Sequence, residues 1–366
     1  ELAGGVGVYT RNLIGALRSR DLEVDLVTPH PAIDTDASTV IAVKPTNGRA
    51  SWLPHAWRFA RALRRVDEPY DIVHFTDARY SVFLRHRPWP VVGTMNDYFY
   101  TVTGWFRGTG TWDLYHDWVS RHLYYNFIRT LERGALRRLD AVICISGAVA
   151  DRLHDRYDIP TERLTVVPYG IVYRPADAKP LPKRGPTILF AGGNFQRKGL
   201  EVLIRASRRV LDVVPDAVFV VLGDSAGTAR MKRLCDRRGV GRAFSFEGQV
   251  DYHSLYRHYR TADVFAMPSL LEAFGIPYLE AMHCGVPVVA TIMPGPDDYL
   301  RDGANALLSE PGDDRSLARD IVRLLTDPEL RSRLVEAGRA TARQFTPSAM
   351  GDRTLRVYES AIARRA

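Results

Sequence analysis

The sequence predicts an α/β protein of two doubly wound domains in tandem, and three observations carry that expectation. Strand-like apolar runs alternate with helical patterns from "VDLVT" at 24 to "LTVVP" at 164, the rhythm of a parallel sheet wrapped by helices. The rhythm stops at "RPADAKPLPKRGP", residues 174–186, where proline and charge suit a linker. A second alternating series then runs from "TILFAGG" at 187 to "VPVVAT" at 286. A chain of 366 residues is long enough to bury two such cores.

The first domain, 1–173, opens on "GGVG" at 4–7, a glycine turn leading into a helix that carries Tyr9, Leu13 and Leu17. No strand precedes it, so an initial strand or a targeting segment is expected outside the sequence given. "DIVHF" at 71, "VVGT" at 91 and "AVICIS" at 141 supply further strands. In the second domain, 187–345, "AVFVVLGD" at 217, "AFSFEG" at 243 and "DVFAMPS" at 263 do the same. The last segment, 346–366, reads as a helix with Thr346 as cap and Pro347 at its first position. Met350, Thr354, Val357, Tyr358, Ala361 and Ile362 form its apolar stripe, which must pack against something.

Composition narrows the class. Hydrophobic content of 46% and charged content of 25% are those of a globular protein, and no apolar run reaches the length of a membrane span. The formal charge of +8 suits phosphorylated ligands or an anionic surface. Its clusters at Arg58, Arg61, Arg64, Arg65 and at Arg129, Arg133, Arg137, Arg138 recur at helical spacing, so solvated helix faces account for them. Cys144, Cys235 and Cys284 are isolated, which disfavours a disulfide framework or thiolate zinc site and suits a reducing cytoplasm.

Three loops have the chemistry of anion sites. In "EAFGIPYLEAMHCG", Gly275, Ile276 and Pro277 open a short helix that Gly285 and Pro287 close, so the amides of Phe274, Gly275 and Ile276 form an anion site. Glu272 and Glu280, with seven residues between them, flank that start. "AGGNFQRKG" offers backbone approach at Gly192 and Gly193 and charge at Arg197 and Lys198, which suit a diphosphate. The third is "GGVG", which lacks the spacing of a dinucleotide fingerprint.

These residues resemble a known family. "GGVGVYTRNL", "GGNFQRKGLEVLIRA", "VVPYG", "ADVFAMPSLLEAFGIPYLEAMHCGVPVVAT" and "DGANALL" occur in the order found in retaining family-four glycosyltransferases of the GT-B fold, over nearly the whole chain. The resemblance implies two Rossmann-like domains facing across a cleft, the donor nucleotide-sugar held mainly by the second and the acceptor mainly by the first. A C-terminal helix would cross back to the first domain, giving the stripe on 346–366 its partner. Such enzymes are typically metal-independent, and Asp297, Asp298, Asp313 and Asp314 read as loop residues rather than a metal set.

Carried over by position, Glu280 resembles the residue binding the ribose hydroxyls, Glu272 the one contacting the transferred sugar, and Lys198 the diphosphate-binding lysine. The amides of Phe274, Gly275 and Ile276 would meet the distal phosphate, and Gly5 and Val6 would approach the donor from the first domain. The family's arginine position holds Gly193 here, with Arg197 nearby as its substitute. Where the family carries histidine near the sugar, "GTMNDYFY" has Asn96, which hydrogen-bonds but cannot titrate. Tyr169 and Val172 replace polar residues of the family pattern in "VVPYGIV".

The implied function is a retaining glycosyltransferase moving a sugar from a nucleoside-diphosphate sugar to a saccharide, lipid-linked or small-molecule acceptor, with no further cofactor. The alternatives are a GT-B nucleotide-sugar epimerase and a non-catalytic binding protein for sugar nucleotides or nucleic acid. The basic clusters lie on separate helices rather than on one stripe with stacking aromatics, so no nucleic-acid partner is expected. The aromatic stretch from Tyr98 to Phe127 suits either sugar stacking or a helical core, and with the basic charge it suits peripheral contact with an anionic membrane from the cytoplasm. His74 suits either a cleft position or a satisfied core.

Overall fold

In the computed structural model the chain divides into two compact units, residues 1–170 with 346–366, and 171–345. The residues described are 5–29, 36–44, 52–65, 70–85, 87–97, 127, 129–173, 179–225 and 227–365. The aromatic stretch therefore lies outside the described residues except for Phe127, which is exposed.

The first unit contains β1 (Asp25–Thr28) paired in parallel with β2 (Thr39–Ala42), and a four-stranded parallel sheet. That sheet has the order β3 (Val73–Phe75), β4 (Val91–Met95), β5 (Ala141–Cys144), β6 (Leu164–Val166). Every residue of β4 and β5 is buried, as expected for central parallel strands covered on both faces. The glycine turn expected at 4–7 is already helical from Gly5, because helix Gly5–Arg18 takes Gly5, Val6 and Gly7 into its first turn. First-turn amides have no partner within their own helix, so the change still leaves donors at that end.

Helix Pro347–Ala363 belongs to this unit. Thr346 caps it by accepting from the Ala349 amide, and Arg20 holds it through Asp352 at 2.6 Å and the Ser348 carbonyl at 2.9 Å. Met350, Thr354, Val357, Tyr358 and Ala361 are buried as the stripe predicts, but Ile362 is exposed. Ile362 follows Ala361 in the last turn, about 100° around the helix, and turns out of the seam.

The second unit carries a six-stranded parallel sheet. In chain order its strands are β7 (Thr187–Ala191), β8 (Val218–Leu222), β9 (Phe244–Gly248), β10 (Val264–Ala266), β11 (Val288–Thr291) and β12 (Leu307–Ser309). Their spatial order is β12-β11-β10-β7-β8-β9. The chain winds outward from β7 through β9, then returns to the other side of β7 and winds outward again. The order thus reverses between β7 and β10, and ligands of such sheets bind beyond the strand carboxyl ends at that reversal.

Strands β2 and β12 have no counterpart in the sequence expectation. Both are short edge strands, and β2 is largely exposed, so pairing with a neighbour defines them more than their own pattern does. No helix among the described residues is long and apolar enough to cross a membrane.

Candidate active site

The two loops that leave β7 and β10 meet at the reversal point. The Leu270 amide donates to the Arg197 carbonyl at 2.7 Å. Gly199 adopts φ 75° against Pro268, and a β-carbon there would collide with the Pro268 carbonyl. The left-handed conformation and the close approach both demand glycine. Gly199→Ala is expected to lower unfolding free energy by about 3 kcal/mol or more, measured by denaturant titration; a loss below ~1 kcal/mol would show that the loops are not so locked.

This contact sets Lys198 against Glu272. The Lys198 ammonium lies 2.5 Å from Glu272 Oε1, and Ser269 Oγ donates to the same oxygen at 3.1 Å. Arg197 Nη1 lies 3.3 Å from Oε2 and donates to the Leu271 carbonyl at 2.9 Å. Lys198 is 7% and Glu272 5% exposed, so the pair is shielded from water. Burial opposes ionisation of Glu272, but Lys198 and Arg197, helped by the Ser269 hydroxyl, hold its carboxyl below the usual range. Glu272 is thus a paired anion, and Arg197 is committed mainly to it and to Leu271.

Helix Ile276–His283 begins beside this pair. Its cap, Gly275, has φ 85° and ψ 52°, and a β-carbon would stand 2.6 Å from the Tyr278 ring. Pro277 occupies the second helical position rather than the first, where its lack of an amide hydrogen is equally harmless. Tyr299 donates its hydroxyl to the carbonyls of both Phe274 and Gly275 at 2.8 Å. The amides of Gly275 and Ile276 donate to no acceptor among the described residues. These donors and the helix dipole favour an anion there.

Glu280 lies one turn further on, roughly 6 Å along the axis from Ile276. It is 6% exposed, and Tyr259 and Tyr252 donate to its two oxygens at 3.0 and 3.3 Å. Burial drives its carboxyl up to about 7 against the pull of those hydroxyls and of Lys198. Sequence reasoning missed these tyrosines, together with Ser269 and Tyr299. The signal was present in "DYHSLYRHYRT", where Tyr252, Tyr256 and Tyr259 share one helix face. Gly193 is exposed at the tip of the β7 loop.

The remaining candidates, Gly5, Val6 and Asn96, belong to the first unit. Asn96 is buried, with Nδ2 donating to the Thr76 carbonyl and Oδ1 accepting from the Tyr169 hydroxyl, both at 2.7 Å. Two departures from the family pattern, Asn96 and Tyr169, are therefore one contact. His74 has both ring nitrogens engaged, by Tyr358 and by Thr94 at 2.7 Å each, and burial lowers its pKa to about 3. It is a half-buried, neutral residue with both nitrogens satisfied. Thr94 also bonds Tyr9 at 2.8 Å, tying helix Gly5–Arg18 to β4. Among the described residues no cluster of histidine, cysteine and carboxylates has the arrangement of a metal site.

Comparison with known proteins bears on the family and the fold. Residues 3–174 match Glycosyltransferase Family 4, and residues 175–341 match Glycosyl transferases group 1. The chain is 27% identical to D-inositol 3-phosphate glycosyltransferase of Stackebrandtia nassauensis, over 100% of this chain and 88% of that protein. It is also 27% identical to phosphatidyl-myo-inositol mannosyltransferase of Mycobacterium leprae, over 98% and 94% of the two chains. Among solved structures, sucrose-phosphate synthase from Thermosynechococcus elongatus superposes with a TM-score of 0.79 at 23% identity, covering 99% of this chain and 94% of that one. HepE of Anabaena, solved in complex with UDP-glucose, gives 0.73 at 18% identity over 98% and 96%. With two tandem family matches spanning nearly all its length and a fold shared with these structures, the chain belongs to the family-four glycosyltransferases of the GT-B fold.

Proposed function

We propose that this glycosyltransferase takes its sugar from a nucleoside-diphosphate sugar and transfers it, with retention of anomeric configuration, to a saccharide, lipid-linked or small-molecule acceptor. The observation that carries the reading is the meeting of Lys198 and Glu272 beside the Gly275 and Ile276 amides, which donate to no acceptor among the described residues, at the point where the sheet order reverses. The complex of HepE with UDP-glucose supports the donor class. The inositol-directed names of the sequence relatives support a polyol or glycolipid acceptor.

In this reading the Gly275 and Ile276 amides and the Lys198 ammonium receive the diphosphate, whose negative charge grows as the bond to the sugar breaks. Donors fixed in advance in a dry site stabilise that charge without reorganising. Glu272, already ionised, accepts from sugar hydroxyls on one side of the phosphates. Glu280, one turn along the helix, faces the ribose on the other. The acceptor attacks the face from which the phosphate departs, and the departing phosphate takes its proton, so no protein base is required. Asn96, in the first unit, keeps one amide hydrogen and one lone pair beyond its two bonds to described residues, a hydrogen-bonding capacity that suits a sugar hydroxyl.

Screening a panel of nucleotide sugars for thermal stabilisation and donor hydrolysis, followed by NMR assignment of the product anomer, tests the reading. One donor class is expected to stabilise the protein and yield a product of unchanged anomeric configuration. An inverted product, an epimerised donor, or no response to any nucleotide sugar would overturn it.

A further inference from the structure

The final helix, Pro347–Ala363, packs on β4 and β5. β6 ends the sheet beside it, and Val166 on that strand is exposed. Between strand and helix lies a cavity of about 300 Å³, whose lining includes Thr165 and Val166 on one side and Arg353, Arg356, Val357, Ser360 and Arg364 on the other. All of these residues belong to the first unit. With about 3.6 residues per turn, the positions from 353 to 364 that line the cavity fall within an arc of about 100°. That arc adjoins the one holding the buried Met350, Thr354 and Ala361. The arginines therefore edge the buried seam on the side of β6, and all three are exposed, within reach of a ligand.

The charge in this hollow is unbalanced. No carboxylate lines it. Arg353 and Arg356 make neither an ion pair nor a hydrogen bond with any described residue. Arg364 donates only to the carbonyls of Asp140 and Glu162, at 3.4 and 2.9 Å, which leaves its charge uncancelled. Carboxylates close in the chain do not supply the balance. Asp140 pairs with Arg87 and Arg365, and Asp352 pairs with Arg20. Glu162 and Glu359 are exposed and form no ion pair with a described residue.

Arg353 and Arg356 are neighbours on the helix surface, and like charges so placed repel. An anion held between them relieves that repulsion, and the arginine fork matches phosphate oxygens. Ser360, one turn beyond Arg356, adds a hydroxyl, while Val166 and Val357 give an apolar surface for the body that carries the phosphate. A solvated helix face carries its arginines outward on a convex surface; these share a hollow with an open sheet strand.

We propose that this cavity is a binding site for a phosphate ester, held chiefly by Arg353 and Arg356. No lining residue belongs to the Lys198 and Glu272 cluster, so the proposal does not depend on the donor reading.

Two measurements on the whole chain test it. One is titration with glycerol 3-phosphate in chloride buffer, followed by calorimetry and ³¹P line broadening. The other is cosedimentation with phosphatidylcholine vesicles, with and without phosphatidylglycerol. Saturable binding of glycerol 3-phosphate would assign a soluble ester, and sedimentation with phosphatidylglycerol vesicles in its absence would assign a lipid headgroup. Arg353→Ala with Arg356→Ala should weaken the observed binding about tenfold or more, the loss expected for a charge-assisted hydrogen bond. Neither side chain has a partner to lose, so the melting temperature should stay close to that of wild type. Arg353→Lys with Arg356→Lys, which keeps the charge and loses the fork, should lose less. Arg315→Ala with Arg333→Ala removes equal charge from exposed positions of the second unit and should bind as wild type does. Absence of binding to both probes, binding unaffected by the double alanine variant at 353 and 356, or an equal loss in the variant at 315 and 333 would each overturn the proposal.

Discussion

Replacing Lys198 by methionine is expected to lower sugar transfer by about 10²- to 10³-fold, the loss seen when one fixed donor to developing charge is removed. Stability should fall too, because Glu272 would remain ionised and buried without its closest partner. Removing one member of a buried pair costs about 3–5 kcal/mol. The low end applies here, since Arg197 remains 3.3 Å from the other carboxylate oxygen. The double variant Lys198→Met with Glu272→Gln separates the two effects. With both charges gone the penalty of the unpaired carboxylate disappears, so denaturant titration should find the double variant more stable than Lys198→Met alone. Its transfer activity should stay as low as that of the single variant. A Lys198→Met protein with wild-type turnover, or a double variant less stable than the single, would contradict this account of the pair.

Glu280 should give the folded protein a distinct pH dependence. Its folded pKa is raised from 4.5 to about 7, chiefly by burial. Between those two values the folded chain keeps a proton that the unfolded chain has released. Its stabilising contribution is therefore fully present below the unfolded value and is lost as pH rises through the folded one. At about 1.4 kcal/mol per pH unit the loss is on the order of 3 kcal/mol between pH 4.5 and 7. Glu280→Gln cannot titrate, so its unfolding free energy should fall less over this window. Urea titrations of both proteins at pH 5 and pH 8 provide the comparison. If both lose the same stability, Glu280 does not titrate there. If it is also the ribose contact, Glu280→Gln should bind a nucleoside diphosphate more weakly at pH 8, where the wild-type carboxylate is formed.

Much of this protein is legible where the chemistry is local. Gly275 and Gly285 bracket helix Ile276–His283 in the sequence as they do in the structure, because cap and termination depend on residues within a turn of each other. The same holds for Thr346 and Pro347 at the start of the final helix. Strands β4, β5 and β7 are apparent from their largely apolar runs, since a strand buried on both faces is mostly apolar, and β8 from a similar run. Strands β2 and β12 are not apparent, because an edge element of three or four residues owes its form to the strand it pairs with.

Side-chain partnership follows the same division. The sequence offers Glu272 as a loop charge and Glu280 as a helix charge, and nothing local distinguishes a solvated carboxylate from a buried one. The structure buries both and treats them differently: Glu272 faces ammonium and guanidinium groups and stays ionised, whereas Glu280 faces phenols and has its pKa raised. Asn96 and Tyr169, 73 positions apart, look like two separate departures from a family pattern until the fold puts them in hydrogen-bond contact.

The sequence by itself determined the two α/β halves, the short helix with its capping glycine, and the kinds of charged and polar group carried by the loops around it. These follow from periodicity and from capping chemistry, which act over a few residues. Only the tertiary structure decided that Lys198 answers Glu272 across 74 positions of chain, and that tyrosines rather than water surround Glu280. The reason is physical: the pairing and burial of a charge depend on what the fold brings to within a few ångströms, and sheet order sets that proximity.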